Sequence, residues 1–304
     1  MLVSTNLFYT RVNKQLGTLA ERTQTLQTQI STGQRLSTAS DDPGAYRRLQ
    51  KLDRAAADDS AWRNNITIAT SVLGQADSTL SDITGLLQNA QELAVQGNNG
   101  TLSPADRKLV GQQLRGVIDD IVNLANVRDG RGSPLFGGAT GDVALVRDAS
   151  GNVSFGGTGD PASIPIADGI EVRPSESAEK IFGGLPKAGG GTTDIFTELA
   201  NLASAFESGT NYNGVAKDTL TSLTNALDQA NAVRGSIGAR GARLELETTR
   251  LDNTNVLRTE DREKTGGTDL QSTLVELQKT STILQATQAS LAKLSQLSLF
   301  DFIR

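Results

Sequence analysis

The stretch VNKQLGTLAERTQTLQTQI, residues 12–30, decides the fold. Its apolar positions are Val12, Leu16, Leu19, Leu26 and Ile30, with Thr23 at the missing step. Alternating steps of four and three residues make the seam of a coiled coil. A second stretch, LQSTLVELQKTSTILQATQASLAKL at residues 270–294, has the same character. Leu270, Leu274, Leu277, Leu284 and Leu291 keep the spacing, Ser281 and Gln288 are polar steps, and Leu294 and Leu297 extend the face. Neither helix can bury such a stripe alone. The simplest expectation is that the two ends of the chain pair with each other.

What these stretches lack is also informative. Residues 1–40 carry only Arg11, Lys14, Glu21, Arg22 and Arg35 as charges, and residues 265–304 only Asp269, Glu276, Lys279, Lys293, Asp301 and Arg304. A solvated helix normally shows more charge, arranged in i,i+4 pairs. An outer face of Thr, Gln and Ser suits burial against further protein, because an amide or hydroxyl finds a partner where a lone charge is costly. The residues expected at such an assembly interface are Val12, Leu16, Leu19, Leu26, Ile30, Leu270, Leu274, Leu277, Leu284, Leu291, Leu294 and Leu297.

Working inward from the ends, Ser31-Thr32-Gly33 closes the first helix, and Asp41-Asp42-Pro43-Gly44 opens the second. Asp41 or Asp42 suits an N-cap and Pro43 the first helical position. The paired carboxylates could instead do acid–base work or hold a cation, but no further carboxylates lie at loop spacing. The second helix carries the strongest periodicity in the chain, from Ile66 through Leu73, Leu80 and Leu87 to Ala94. Gly97-Asn98-Asn99-Gly100 breaks it, and Ser103-Pro104 starts a third helix with Val110, Leu114, Val117, Ile121 and Leu124 on its buried side. Residues 129–193 then hold five of the seven prolines and most of the glycine clusters. Four short β-prone runs lie among them: 143–147, 152–155, 163–166 and 170–173, with Asp148-Ala149-Ser150-Gly151 as a hairpin loop. Helix returns at Asp194 to Phe206. It returns again from about Val215, with Ala216, Leu220, Leu223, Leu227, Ala230, Ile237, Leu244 and Leu251 on one face. Gly266-Gly267 interrupts that helix before Thr268 or Asp269 caps the last one.

The expected fold is mainly α: a nested, elongated rod of long antiparallel helices, a terminal coiled coil plus a helical bundle, with a small β-rich inserted domain. The expected divisions are 1–42 with 265–304 for the terminal coiled coil, 43–129 with 194–264 for the bundle, and 130–193 for the β-rich part.

Composition bounds the function. Among 304 residues there is no Cys and no His, which removes thiolate chemistry, the commonest metal ligands and the commonest general base. A net charge of −5 argues against nucleic acid as a partner. No stretch approaches the roughly 18 to 20 apolar residues of a membrane span, and no cleavable signal peptide is expected at the start. No phosphate-binding loop or zinc set is present, and Gly137-Gly138 and Gly156-Gly157-Thr158-Gly159 read as turns. Asp58-Asp59 and Asp119-Asp120 are expected as solvated edges, because neighbours on a helix point about 100° apart. The expectation is no enzyme, no cofactor and no metal.

Four stretches resemble the bacterial flagellin family. Ser31 to Gly44 is similar to its N-terminal signature. Gln91-Glu92-Leu93-Ala94-Val95-Gln96, with Asn99-Gly100-Thr101 and Asp106-Arg107, is similar to its central helical hairpin. Ile237-Gly238-Ala239-Arg240 resembles its long C-terminal helix, and Leu294 to Phe302 its closing segment. Asp42-Pro43, the small insertion and Leu135-Phe136-Gly137-Gly138 resemble the hook-associated branch of the family. That resemblance implies a structural role at the hook–filament junction, as a ring of like subunits between hook-associated protein 1 and flagellin. It also implies an extracellular location, type III export without cleavage, and a flagellar export chaperone. The alternatives are a polymerising flagellin or a cytoplasmic coiled-coil adaptor.

Overall fold

The structure, a computed structural model, describes the backbone of residues 2–187 and 190–302 and the side chains of residues 7–187 and 190–293. Among the described residues, seven helices and three hairpins follow in the order α1 (Leu2–Thr32), α2 (Pro43–Gly97), α3 (Pro104–Ala125), β1 (Leu145–Arg147), β2 (Val153–Phe155), β3 (Ile164–Ala167), β4 (Ile170–Val172), α4 (Ala178–Phe182), β5 (Leu185–Pro186), β6 (Thr192–Thr193), α5 (Ile195–Ser208), α6 (Tyr212–Gly266) and α7 (Leu270–Phe302). The chain forms two compact units. Residues up to Asp58 with those from Asn253 onward make the first, and Asp59–Asp252 the second. Both α2 and α6 contribute to each unit.

In the second unit, the α2 stripe of Ile66, Ala69, Leu73, Ala76, Leu80, Ile83, Leu87, Ala90 and Ala94 is buried throughout, as its spacing predicts. The stripe begins earlier than the sequence suggests. Asp59 lies on the same face and is buried, so it is not a solvated edge, whereas Asp58 is exposed. Asp119 is held by Arg147 on β1, and Asp120 is exposed. Helix α3 starts as expected, with the Ser103 hydroxyl accepting from the Asp106 amide at 3.2 Å. It packs against α5 at close range. A Cβ on Gly111 would lie 2.9 Å from the Ala203 carbonyl oxygen, and one on Gly97 would strike the Phe206 ring at 2.4 Å. Burying these stripes supplies the stability, at about 25 cal/mol per Å² of apolar surface removed from water.

Helices α2 and α6 run antiparallel. In the second unit Arg63 pairs with Asp252 at 2.6 Å and Asp77 with Arg234 at 2.9 Å. In the first, Arg48 pairs with Asp261 at 3.2 Å and Asp53 with Arg262 at 2.6 Å. Partly exposed ion pairs contribute little energy, but they mark the register. The buried α6 positions recur every seven residues, at Ala216, Leu223, Ala230, Ile237, Leu244 and Leu251. Thr219, Ala226, Val233 and Glu247 fill the intermediate steps, and Leu220 and Leu227 flank the seam half-buried.

The four β-prone runs form two antiparallel hairpins, β1–β2 and β3–β4. The Asp148 loop closes the first, with Gly151 at φ 86° and its amide on the Asp148 carbonyl. The sequence reading missed α4 and the β5–β6 pair. Phe136, Phe155, Phe182 and Phe196 make the small core of this insert, with Phe182 and Phe196 edge-on at 5.5 Å. Leu135-Phe136-Gly137-Gly138 is shaped by that core. The first two residues are buried, and the glycine backbone presses on the second glycine turn. A Cβ on Gly157 would sit 2.0 Å from the Gly137 carbonyl oxygen. The insert is tied to the long helices by side chains. Asn126 exchanges two hydrogen bonds with Leu145 at 2.9 Å each, Gln229 donates to the Lys180 and Gly183 carbonyls, and Arg240 reaches Glu176 and the Arg173 carbonyl.

Candidate assembly interface

The first unit pairs the two ends of the chain. On α1 the face turned to α7 is the expected one. Leu26 is buried, and Val12, Leu16, Leu19, Thr23 and Ile30 are half-buried among exposed neighbours. On α7 the face differs from the spacing read in the sequence. Thr273 and Thr280 are buried, and Leu277, Leu284, Thr287 and Leu291 are half-buried. Leu270 and Leu274 are instead 54% and 58% exposed. The reason is local. The Thr287 hydroxyl returns a hydrogen bond to the Ile283 carbonyl at 2.7 Å, so its methyl is free to face the seam. Thr23 does the same on α1, with the Leu19 carbonyl at 2.8 Å. Leu294 and Leu297 lie outside the residues whose side chains are described. Arg22 and Glu276 pair across the two helices at 2.7 Å, both about half exposed.

The pairing leaves apolar surface uncovered. Val275 is 63% exposed and Ile283 42%, in addition to Leu270 and Leu274 on α7, while Leu7 and Phe8 are exposed on α1. Leu270 and Leu274 lie side by side, four residues apart on one face of α7, whereas Val275 and Ile283 lie on its other sides.

Beside this helix pair, the loop leaving α1 is joined to the loop entering α7. Gly33 closes α1 at φ 69° with its amide on the Gln29 carbonyl. The Arg35 amide then donates to the Gly266 carbonyl at 2.8 Å, and the Thr268 amide to the Gly33 carbonyl at 3.0 Å. The Arg35 guanidinium adds a bond to the Thr265 carbonyl at 3.0 Å. The two aspartates of the sequence motif divide their work. Asp42 caps α2, accepting from the Gly44 and Ala45 amides. Asp41 folds the loop before it, accepting from the Ser37 and Thr38 amides at 2.9 and 2.8 Å. The Thr38 and Ser37 amides hold the Asp41 carboxyl below its ordinary pKa. Asp269, not Thr268, caps α7 through the Gln271 and Ser272 amides, and the Ser272 hydroxyl and amide lower its pKa. Each carboxylate is satisfied by its own loop. Among the described residues, no group of three or more acidic residues could hold a metal ion.

Residues 3–140 match the bacterial flagellin N-terminal helical region, and residues 220–303 the bacterial flagellin C-terminal helical region. Flagellar hook-associated protein 3 of Salmonella typhimurium is 27% identical over 329 aligned residues that take in the whole of both chains. Flagellar hook-associated protein 3 of Escherichia coli is 27% identical over 288 residues, 90% of each chain. The crystal structure of flagellar hook-associated protein 3 from Legionella pneumophila superposes with a TM-score of 0.65 over 71% of this chain and 98% of that one. At 14% identity it speaks for the fold alone. With both helical regions matched in order, and the central helices folded as their periodicity requires, the chain belongs to the bacterial flagellin family and is a structural protein of the bacterial flagellum.

Proposed function

We propose that this chain forms the hook–filament junction, the platform on which flagellin assembles. In this reading like subunits form a ring between hook-associated protein 1 and flagellin. The α1–α7 pair makes the contacts, through Val12, Leu16, Leu19, Leu26, Ile30, Leu277, Leu284 and Leu291 and through the uncovered Leu270 and Leu274. Residues 1–42 with 265–304 are the assembling part, the helices of 43–129 and 194–264 an intermediate layer, and 130–193 the outer part. The chain reaches the extracellular flagellum by type III export without cleavage, its C-terminal helix escorted by an export chaperone. A chain without cysteine suits passage in an unfolded state and refolding outside without thiol chemistry.

The observation that carries this reading is the surplus of apolar surface on α7. Leu270, Leu274, Val275 and Ile283 are exposed although α7 already has a partner helix. A soluble adaptor would gain nothing from that surplus, whereas an assembling subunit buries it against neighbours. The 27% identity to two hook-associated proteins, against 23% and 22% to two Listeria flagellins aligned over 97% of the chain, supports the junction over the filament itself.

The test is a strain lacking this gene. The expected result is bare hooks with abundant monomeric flagellin in the medium. Bare hooks with no flagellin outside would make this chain the filament subunit, and normal filaments would end both readings.

A further inference from the structure

The first unit carries two charged stripes on opposite faces of its α2–α6 pair. Arg47, Lys51 and Arg54 on α2 recur at i, i+4 and i+7 and share one exposed face about 10 Å long. Arg47 donates to the Pro43 carbonyl, and none of the three has a carboxylate partner among the described residues. On α6, Val256, Glu260 and Glu263 recur with the same four-and-three spacing, and all are exposed. Val256 is 58% exposed. Lys264 at the edge of this stripe reaches Glu260 at 3.6 Å. The contacts between the two helices use other faces: Arg48 with Asp261, Asp53 with Arg262, and Arg258 with the Ala55 carbonyl. On a helical wheel the basic stripe lies roughly 150° from the mean direction of the α6-facing residues of α2, and the acidic stripe is similarly opposed to the α2-facing side of α6. The stripes therefore point away from each other and cannot meet within one chain.

We infer that the basic stripe of α2 in one subunit docks on the acidic stripe of α6 in the next copy of this chain. Opposite charge with matched spacing favours that occupant and sets the register, while like stripes repel. Because the two surfaces differ, the contact is heterologous, and repeating it closes a ring or extends a helix. Val256 and the aliphatic stems of the basic side chains supply apolar contact beneath the charges. The inference rests on the proposed junction role and gives it a lateral contact distinct from the α1–α7 surface.

The absence of native cysteine makes the test direct. The full-length chain carrying both Lys51→Cys and Glu260→Cys, the middle members of the two stripes, is expressed in place of the natural gene, and isolated flagella are treated with a mild oxidant. A ladder of covalent multimers of this chain, absent from either single variant, is expected. Reversal of the basic stripe alone (Arg47→Glu, Lys51→Glu, Arg54→Glu) should lower incorporation about tenfold or more, as expected when like charges face each other. Reversal of both stripes, adding Glu260→Lys and Glu263→Lys, should restore it. Only monomer in flagella that contain the subunit, or no rescue by the double reversal, overturns the inference and leaves the junction role standing. Normal filaments without the gene defeat the junction role instead.

Discussion

The amide of Arg35 donates to the carbonyl of Gly266 at 2.8 Å, across 231 positions of sequence. With the Thr268–Gly33 bond it makes a two-rung ladder between the loops beside the α1–α7 pair. The loop leaving α1 and the loop entering α7 are thereby held together within the first unit. The neighbouring Gly267 has no room for a side chain, since a Cβ there would lie 2.4 Å from the Glu263 carbonyl oxygen, a backbone atom that cannot swing aside. Gly267→Ala should therefore break the ladder. Trypsin should then cut at Arg35 and Arg47 about tenfold faster, with the Asp59–Asp252 unit unaffected. Gly33→Ala meets open space and suffers only its φ of 69°, a strain of about 1 kcal/mol, so its effect should be smaller. Equal protection of both variants would show that the ladder is not what orders the loops.

Arg107 is buried and satisfied by carbonyls. Its guanidinium donates to Gly97, Asn99 and Leu102 and lies 3.8 Å from the centroid of the Tyr212 ring. It caps α2, fixes the turn into α3 and holds the start of α6. Arg107→Met should cost about 2–4 kcal/mol in urea unfolding, because the carbonyls lose charged donors and the ring its cation. Tyr212→Leu should cost about 1 kcal/mol, the cation–π share. An Arg107→Met loss no larger than that of Tyr212→Leu would mean that water replaces the donors.

Arg115 and Glu207 form a two-pronged pair between α3 and α5, at 2.7 and 2.8 Å. The hydrogen bond from Arg115 holds the Glu207 carboxyl below its ordinary value of 4.5. A carboxyl lowered in the fold contributes stability above that ordinary value and loses it as pH falls through the folded one. Arg115 is 47% exposed and Glu207 26%, so solvent screening limits the contribution to about 1 kcal/mol. Glu207→Gln should lower thermal stability at pH 7 and leave it unchanged well below pH 4, where both forms are neutral. An equal loss at both pH values would assign the effect to packing.

Much of this fold is written in Leu and Ala spacing. The α2 stripe from Ile66 to Ala94 is read without error because its seam is apolar at every step. On α7 the seam runs through Thr273, Thr280 and Thr287, and a count of leucines places it one residue away at Leu274, Ser281 and Gln288. Threonine conceals its apolar character in sequence because it reveals a methyl only once the hydroxyl turns back on its own helix. The same shift occurs on α6, where small Thr219 and Ala226 lie in the seam and Leu220 and Leu227 flank it. Asp59 is missed for a related reason, as a carboxylate on the face that Ile66 continues. Helix α4 is one turn long, and its N-cap residue Ser177 makes no side-chain capping bond, so little in the local sequence announces it.

Arg240, like Gln229, ties α6 to the insert. It pairs with Glu176, whose side chain is 3% exposed, and donates to the Arg173 and Ser175 carbonyls. Arg240→Met leaves Glu176 with Lys180 as its ion partner and should cost about 3 kcal/mol. The double variant Arg240→Met with Glu176→Leu should recover part of that loss, since no buried charge is stranded. A double variant as unstable as the sum of the two single changes would show that the ion pair does not couple them.

Leu284 tests the assembling surface most directly. It is half-buried in the α1–α7 seam, one heptad after Leu277 and one before Leu291. Leu284→Asp places a charge where the partner helix offers none, and a charge without a partner in an apolar contact costs several kcal/mol or forces the contact open. The second unit draws none of its core from α7, so its unfolding transition should be unchanged. Incorporation into flagella should be abolished, with the variant recovered from the medium as a folded monomer whose terminal helices are cut early by protease. Leu109→Asp, at an exposed position on α3, is the control for an added charge on a helix surface. Normal filaments from the Leu284→Asp strain would remove the terminal seam from the assembly mechanism.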